Sequence, residues 1–220
     1  MLSAEIINDL IPPLKTSDSG DRALSLMEDF KISHIPIVND TEFLGLISED
    51  DIIEMPDTFE PISTISINFH KPYVHDWQHI YDVMKLMSDM KLSVVPVLDE
   101  HDQYLGIISV NTMVDYFARI TSLESQGAVI VIEVDTRNYL LSEIARIVES
   151  NDAHILSSYI DSDRDSTKIK VTIKVDKEDV GGIVQTFQRF NYTVSSLYKH
   201  KDKTDDTKER FDSFMRYLNT

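Results

Sequence analysis

Ser48-Glu49-Asp50-Asp51 places a hydroxyl three residues ahead of a carboxylate. At a helix start such a pair makes a capping box, in which the serine oxygen takes a backbone N–H and the acid accepts one in return. The acids of this first turn also suit the positive end of the helix dipole. A second place, Ser109-Val110-Asn111-Thr112, keeps the hydroxyl and has no acid. Three histidines, His70, His75 and His79, lie close in sequence, and the four-residue spacing of the last two would let them share a metal if both stood on one helical face. Pro72 keeps the preceding stretch extended, however, and Asp76 reads as the N-cap of the next helix, so His75 falls outside it and no metal site is expected. Trp77, just inside that helix, reads as a partly buried aromatic, with stacking on a ligand base as its other use. The chain has no cysteine, P-loop, nucleophile elbow or acid-rich metal cluster beyond helix caps. No catalytic residue is assigned, and an enzyme is not expected.

The elements around these residues are written twice. An amphipathic helix (Ala23, Leu24, Met27 and Phe30 inward) leads to the apolar run "HIPIV", the turn "NDTE", the run "FLGLIS" and a helix just past Ser48. A second helix (Ile80, Val83, Met84, Met87 and Met90 inward) leads to "VVPVL", "DEHDQ", "YLGIIS" and a helix past Ser109. Pro36 and Gly45 return as Pro96 and Gly106, 60 and 61 residues on, with the extra residue in the turn, where insertion is tolerated. Each unit alone would leave a sheet face half uncovered, so the two copies are expected to stack. Ahead of them "MLSAEIINDLIPPL" reads as a short amphipathic helix ended by Pro12-Pro13, with no basic stretch that would make it a signal peptide.

Composition narrows the functions. With 220 residues and 42% hydrophobic content the chain can build real cores. A formal charge of −17 repels nucleic acid and anionic lipid over most of the surface, so neither is an expected partner. No apolar run reaches the roughly 20 residues a bilayer span needs. The absence of cysteine fits a reducing, cytoplasmic location.

The helix, "hhPhh", "hLGhIS", helix pattern in tandem resembles the CBS domain pair, or Bateman module, over about residues 1–119, with copies at about 1–59 and 60–119. The resemblance implies a pseudo-twofold unit with two clefts. In CBS pairs that bind adenosine compounds, a Ser or Thr ends the second strand and an Asp three residues on accepts hydrogen bonds from ribose hydroxyls. Ser48 and Asp51 match that pattern, and the resemblance would set them against Val74, Asp76, Val94 and Val95. A weaker second cleft would join Ser109 and Thr112 to Leu14, Thr16, His34 and Ile35. Geometry alone does not separate ribose recognition at Asp51 from the cap. AMP, ADP, ATP and S-adenosylmethionine are the possible regulatory ligands; Glu49, Asp50, Asp51 and Glu54 would repel an unscreened triphosphate, which favours a low-charge or cationic adenosyl ligand such as S-adenosylmethionine over ATP. Lys15, Lys31, Lys71, Lys91 and Arg119 are the cations that could offset those acids.

The second half reads differently. A strand (Ala128 to Val134), a helix (Leu140, Leu141, Ile144, Ala145 and Val148 on one face), a strand "AHILSSYID", a turn "SDRDS", the alternating strand "KIKVTIKV", a helix (Val180, Ile183, Val184 and Phe187 inward) and the strand "YTVSSLY" give βαββαβ, a ferredoxin-like order. The third strand shows Lys and Thr, not the aromatics that RNA recognition needs. Val134 to Ile160 resembles an ACT domain, a likeness extending over about residues 127–200, and the whole chain would be a mixed α+β and α/β protein. Amino-acid-binding ACT domains carry Gly where Tyr139 follows Asn138 here, so a dimerisation unit is expected before an effector site. Asp135, Arg137, Asn138 and Tyr139 are the residues an effector would meet. In residues 201–220 a polar linker leads to Phe211, Phe214, Met215 and Leu218 at helical spacing, a face expected to dock on this chain or on a second subunit. The arrangement resembles acetoin-utilisation protein B-like regulators. It implies a homodimeric, non-catalytic sensor of an adenosyl ligand that needs no cofactor and signals to a protein partner; the alternative is a scaffold that binds no ligand.

Overall fold

The structure is a computed structural model that describes residues 2–8, 10–64, 70–162 and 166–199. Two compact units divide the chain, Met1–Phe117 and Ala118–Thr220.

In the first unit each copy opens with an eleven-residue helix, α1 (Gly20–Phe30) and α3 (Ile80–Met90). Both stop in the same way, at Lys31 and Lys91 in the left-handed conformation, φ 54° and 56°, where the lysine N–H returns to the last turn. Ala23 and Met27 of α1, and Ile80, Val83 and Met87 of α3, are buried. Copy one continues with β1 (His34–Asn39), β2 (Glu42–Ser48) and α2 (Glu49–Ile53). Copy two has β3 (Val74–His75) ahead of its helix and then β4 (Val94–Leu98), β5 (Tyr104–Ser109) and α4 (Val110–Ile120). The hairpins match down to their bulges, between Ile37 and Val38 and between Val97 and Leu98.

The copies exchange their leading segments. Asn8 bridges Ile107 of copy two through two backbone hydrogen bonds of 2.7 and 3.3 Å, while His70 bridges Leu46 of copy one. This exchange accounts for Gly106, whose φ is 153°: a Cβ there would lie 2.5 Å from Ile7 Cγ2. It also corrects the expected N-terminal helix. Only Ser3–Ile6 turns, as a single 3-10 turn whose free Ser3 and Ala4 N–H groups donate to Gln78 and Asp76 carbonyls, because Ile7 is already extended and Asn8 is committed to its bridge with Ile107. Ile35, Ile37 and Ile47 of copy one share one core with Val95, Val97, Ile107 and Ile108 of copy two, all 0% exposed. At about 1.5–3 kcal/mol for each such side chain removed from water, this shared core outweighs any single polar contact in the unit.

In the second unit, β6 (Ala128–Asp135), β7 (Ile155–Ser162), β8 (Lys168–Val175) and β9 (Thr193–Lys199) form one antiparallel sheet in the order β7-β8-β6-β9. Alternate residues of β6 and β8 are buried, and α5 (Leu141–Glu149) and α6 (Gly181–Arg189) add Ile144, Ile147, Val148, Ile183 and Phe187 to that core. The inward face of α5 corrects the sequence reading. Leu140 and Leu141 are 56% and 49% exposed and Ile147 takes their place, because Leu140 is still extended and helical phase starts only at Leu141. Gly127, φ 137°, lets the chain enter β6 against the end of β8, where a Cβ would fall 1.9 Å from the Val175 carbonyl oxygen. The expected turn at 162–166 lies in part, and the tail face of Phe211, Phe214, Met215 and Leu218 wholly, outside the described residues.

Candidate functional site

Ser48 ends β2 and caps α2, and the box is complete. Ser48 Oγ accepts the Asp51 N–H at 3.1 Å and donates to Asp51 Oδ2 at 2.6 Å, and the Ser48 N–H reaches the same Oδ2 at 2.8 Å. The serine hydroxyl is therefore occupied as donor and acceptor. Asp51 Oδ1 has no hydrogen-bond partner among the described residues, and its twin Oδ2 anchors the carboxylate. In copy two Ser109 Oγ accepts the Thr112 N–H at 3.1 Å and lies 3.0 Å from Thr112 Oγ1. There the cap survives without a charge.

His34 stands opposite Ser48 in the β1–β2 register. Its Nδ1 accepts the Ser93 N–H at 3.4 Å and lies 3.2 Å from the Ser33 and Ser93 hydroxyls, so the neutral ring carries its proton on Nε2. Burial lowers the His34 pKa, against the pull of Asp51 and then Asp50. His34 thus adjoins Asp51 of its own copy, a neighbour that counting the hairpin register from Ser48 back across the turn would have found. Lys31 is the cation placed nearby. It lines an open groove of about 700 Å³ with Glu28, Glu49, Ser33 and Ser93, the last three being chain neighbours of Ser48, His34 and Val94.

The other expected lining residues divide by burial. Leu14, Ile35, Val94 and Val95 are 0% exposed and Val74 2%, so in this conformation they are core and offer no surface to a ligand. Leu14 pairs with Ile37 and Thr16 contacts Asn39, both beside β1, whereas Val74 pairs with Val97 and the Asp76 N–H donates to Leu98, both beside β4. Asp76 is not the cap of α3. His79 takes that place, its ring accepting the Tyr81 N–H at 3.2 Å, so His75 and His79 do not share a helical face. Trp77 lies in the turn ahead of the helix and is 61% exposed instead of partly buried.

In the second unit Asp135, Arg137 and Asn138 line a cleft of about 520 Å³ with Lys168, Glu143 and Asn191. Asp135 is committed to the loop itself, accepting the Arg137 N–H at 3.0 Å. Tyr139 packs on the core beneath instead of into the cleft. Tyr192, missed in the sequence because its partner lies 49 residues away, donates to Glu143 Oε2 at 2.8 Å. Burial and this acceptor push its hydroxyl up to about 12.

Comparison with known proteins bears on the first unit. A model of the CBS domain matches residues 4–56 and again residues 72–119. An uncharacterised 33.4 kDa protein of a ribosomal RNA operon in Thermofilum pendens is 22% identical over 131 residues; the match takes in 50% of this chain and 44% of the relative, so this chain spans less than half of that protein. A CBS domain pair/ACT domain protein of Thermotoga maritima is 16% identical, with a TM-score of 0.47 over 54% of this chain and 98% of its own. The protein CBSX2 in complex with AMP is 19% identical, with a TM-score of 0.45 over 54% and 97% of the two chains. The CBS domain of a bacterial CNNM/CorC family Mg²⁺ transporter in complex with ATP is 14% identical, with a TM-score of 0.42 over 52% and 85%. Two matches to one domain, falling on the two structural repeats, identify the first half of this chain as a tandem pair of CBS domains.

Proposed function

We propose that the CBS pair is a non-catalytic regulatory module that senses an adenosyl ligand at copy one. The observation that supports this is Asp51 Oδ1, a carboxylate oxygen at the first turn of α2 with no partner among the described residues, placed to accept from a ribose hydroxyl while Oδ2 keeps the helix capped. Capping and ribose recognition are then compatible uses of one side chain. The groove alongside sets one lysine, Lys31, against Glu28 and Glu49, a balance that suits a low-charge or cationic adenosyl compound such as S-adenosylmethionine better than ATP. Sensing further requires that the ligand bind two conformations with different affinity, and the closed state of Val74, Val94 and Val95 supplies one of them.

The test is a thermal-shift panel with AMP, ADP, ATP, adenosine and S-adenosylmethionine, each with and without Mg²⁺. A ligand at about a hundred times its dissociation constant adds roughly 2.7 kcal/mol, read as a rise of several degrees. A larger rise with ATP than with adenosine would remove the preference for low charge; a flat panel would leave a scaffold that pairs with itself or with a protein partner. The second unit supports a second, smaller reading as an ACT-like effector domain, because Arg137 and Asn138 line one cleft while Tyr139 is packed away from it. A rise in melting temperature with one of the common amino acids, lost in Arg137→Ala, is the expected sign.

A further inference from the structure

Beside β3 an aromatic ladder runs from the core to the surface. Buried Phe43 meets Tyr73 edge-on at 6.5 Å between ring centroids, Tyr73 meets His75 edge-on at 5.4 Å, and Trp77 stacks on His75 at 5.5 Å with 10° between the planes. Tyr73 is 39% exposed and Trp77 61%, so one indole face lies on His75 while the other meets solvent. The turn after β3 fixes this stack: the His75 N–H donates to Gln78 Oε1 at 2.7 Å and the Gln78 N–H to the His75 carbonyl at 3.0 Å.

The His75 ring carries an unused acceptor. Its Nδ1 lies 3.0 Å from the Asp99 carbonyl oxygen, an atom that only accepts, so Nδ1 holds the proton and Nε2 of the neutral ring is a lone pair. That lone pair faces Asp102 Oδ1 at 3.8 Å. Two acceptors at this separation admit one donor nitrogen at hydrogen-bond distance, about 2.7–3.2 Å, from both. Asp102 and its neighbour Glu100 have side chains 72% and 79% exposed, and among the described residues neither carboxylate pairs with a lysine or arginine.

We propose that this face docks a basic segment of a protein partner: one arginine or lysine donates into the gap between His75 and Asp102, and a neighbouring cation of the segment lies over the open face of Trp77. Aromatic faces attract cations through their quadrupole, and the −17 charge of the chain draws a basic segment from a distance. A nucleotide is the poorer occupant, since its phosphates would approach Asp102 and Glu100 without a cation between them. Side-chain alternation along the strand also turns Tyr73 and His75 away from the side of Val74, where the adenosyl reading puts its ligand.

Trp77 is the single tryptophan of the chain, so its emission reports this face alone. The full-length protein is titrated with an acetylated hexapeptide of alternating arginine and alanine. The expected result is a saturable change in emission whose dissociation constant weakens at least fivefold in Asp102→Asn and in His75→Phe, and by less than twofold in Glu178→Gln, an exposed acid of the second unit that controls for net charge. Asparagine is chosen because Asp102 has φ 60°, which Asn tolerates, and it leaves the His75 contacts in place, whereas His75→Phe keeps an aromatic ring at the stack but loses the bond to the Asp99 carbonyl along with the acceptor, so its melting temperature is read beside its affinity. No saturable change, or equal weakening in Glu178→Gln, would overturn the proposal. So would emission that shifts with protein concentration, which assigns the face to a second copy, or emission that responds to adenosine and not to the peptide, which assigns it to a base.

Discussion

Copy one and copy two solve the same helix-start problem with different chemistry. Ser48 with Asp51 and Ser109 with Thr112 both close a cap at the end of the second strand, at matching distances of 3.1 Å from serine oxygen to backbone nitrogen. In copy two the Ser109 hydroxyl caps the helix with Thr112 Oγ1 beside it, whereas in copy one Asp51 Oδ2 also takes the Ser48 N–H, so only the other oxygen, Oδ1, is surplus to capping. That single oxygen is the one a binding role would use. The same contrast recurs opposite these residues, where His34 of copy one corresponds to Val94 of copy two and only the first is drawn on by Asp51.

Four experiments would break or sharpen this comparison. The largest effect is expected at the crossings. Gly106→Ala should cost roughly 2–4 kcal/mol in urea unfolding, because a Cβ would strike Ile7 and the backbone lies at φ 153°. Gly45→Ala, at the equivalent bulge with the same φ, should cost a similar amount; a gap above about 1.5 kcal/mol would show that the two exchanges are not energetically equivalent. Next comes Asp51→Thr, which writes the copy-two cap into copy one. We expect adenosyl affinity to fall by about tenfold or more, as for loss of a hydrogen bond to a charged group, while stability changes by no more than about 1 kcal/mol. Unchanged affinity by calorimetry would leave Asp51 a cap and nothing else. The reverse exchange, Thr112→Asp, should create a weaker second site, raising the calorimetric stoichiometry from one toward two.

The smallest effect concerns pH. Burial lowers the His34 pKa in the folded chain, so the unfolded state takes up its proton first as pH falls. The stability that neutral His34 contributes is therefore present above its unfolded value of about 6.5 and is lost as pH falls from there through the lower folded value. His34→Val, the copy-two residue, should flatten this loss in melting curves between pH 7.5 and 5. A curve of unchanged slope would show that the ring protonates without opening the site.

Periodicity made most of the framework legible. Helices α1, α3 and α6 and strands β6 and β8 stand where helical spacing and alternation put them, although Met84 and Met90, read as inward on α3, are 37% and 42% exposed and β7 buries no face. Departures came where a residue answers to a distant segment. The opening helix stops after Ile6 because Asn8 bonds Ile107, and His79 caps α3 in place of Asp76. Neither choice carries a local signature. For the site, the cap at Ser48 was readable from spacing, but its use of a single carboxylate oxygen was not, since that depends on a rotamer. Burial of Val94, Val95, Leu14 and Ile35 was concealed for another reason: apolar residues in an "hP" segment read alike whether they wall a cleft or fill a core.

Because the stretch ahead of each copy bridges the other copy, at Asn8–Ile107 and His70–Leu46, before it joins its own hairpin, the two halves of the CBS pair hold each other's edges. A cut between them would leave each hairpin without the backbone bridge that the stretch ahead of the other supplies, and recombining the fragments should restore both bridges. By the same wiring a change made at Asn8, in the opening residues of the chain, is in space a change to the second copy.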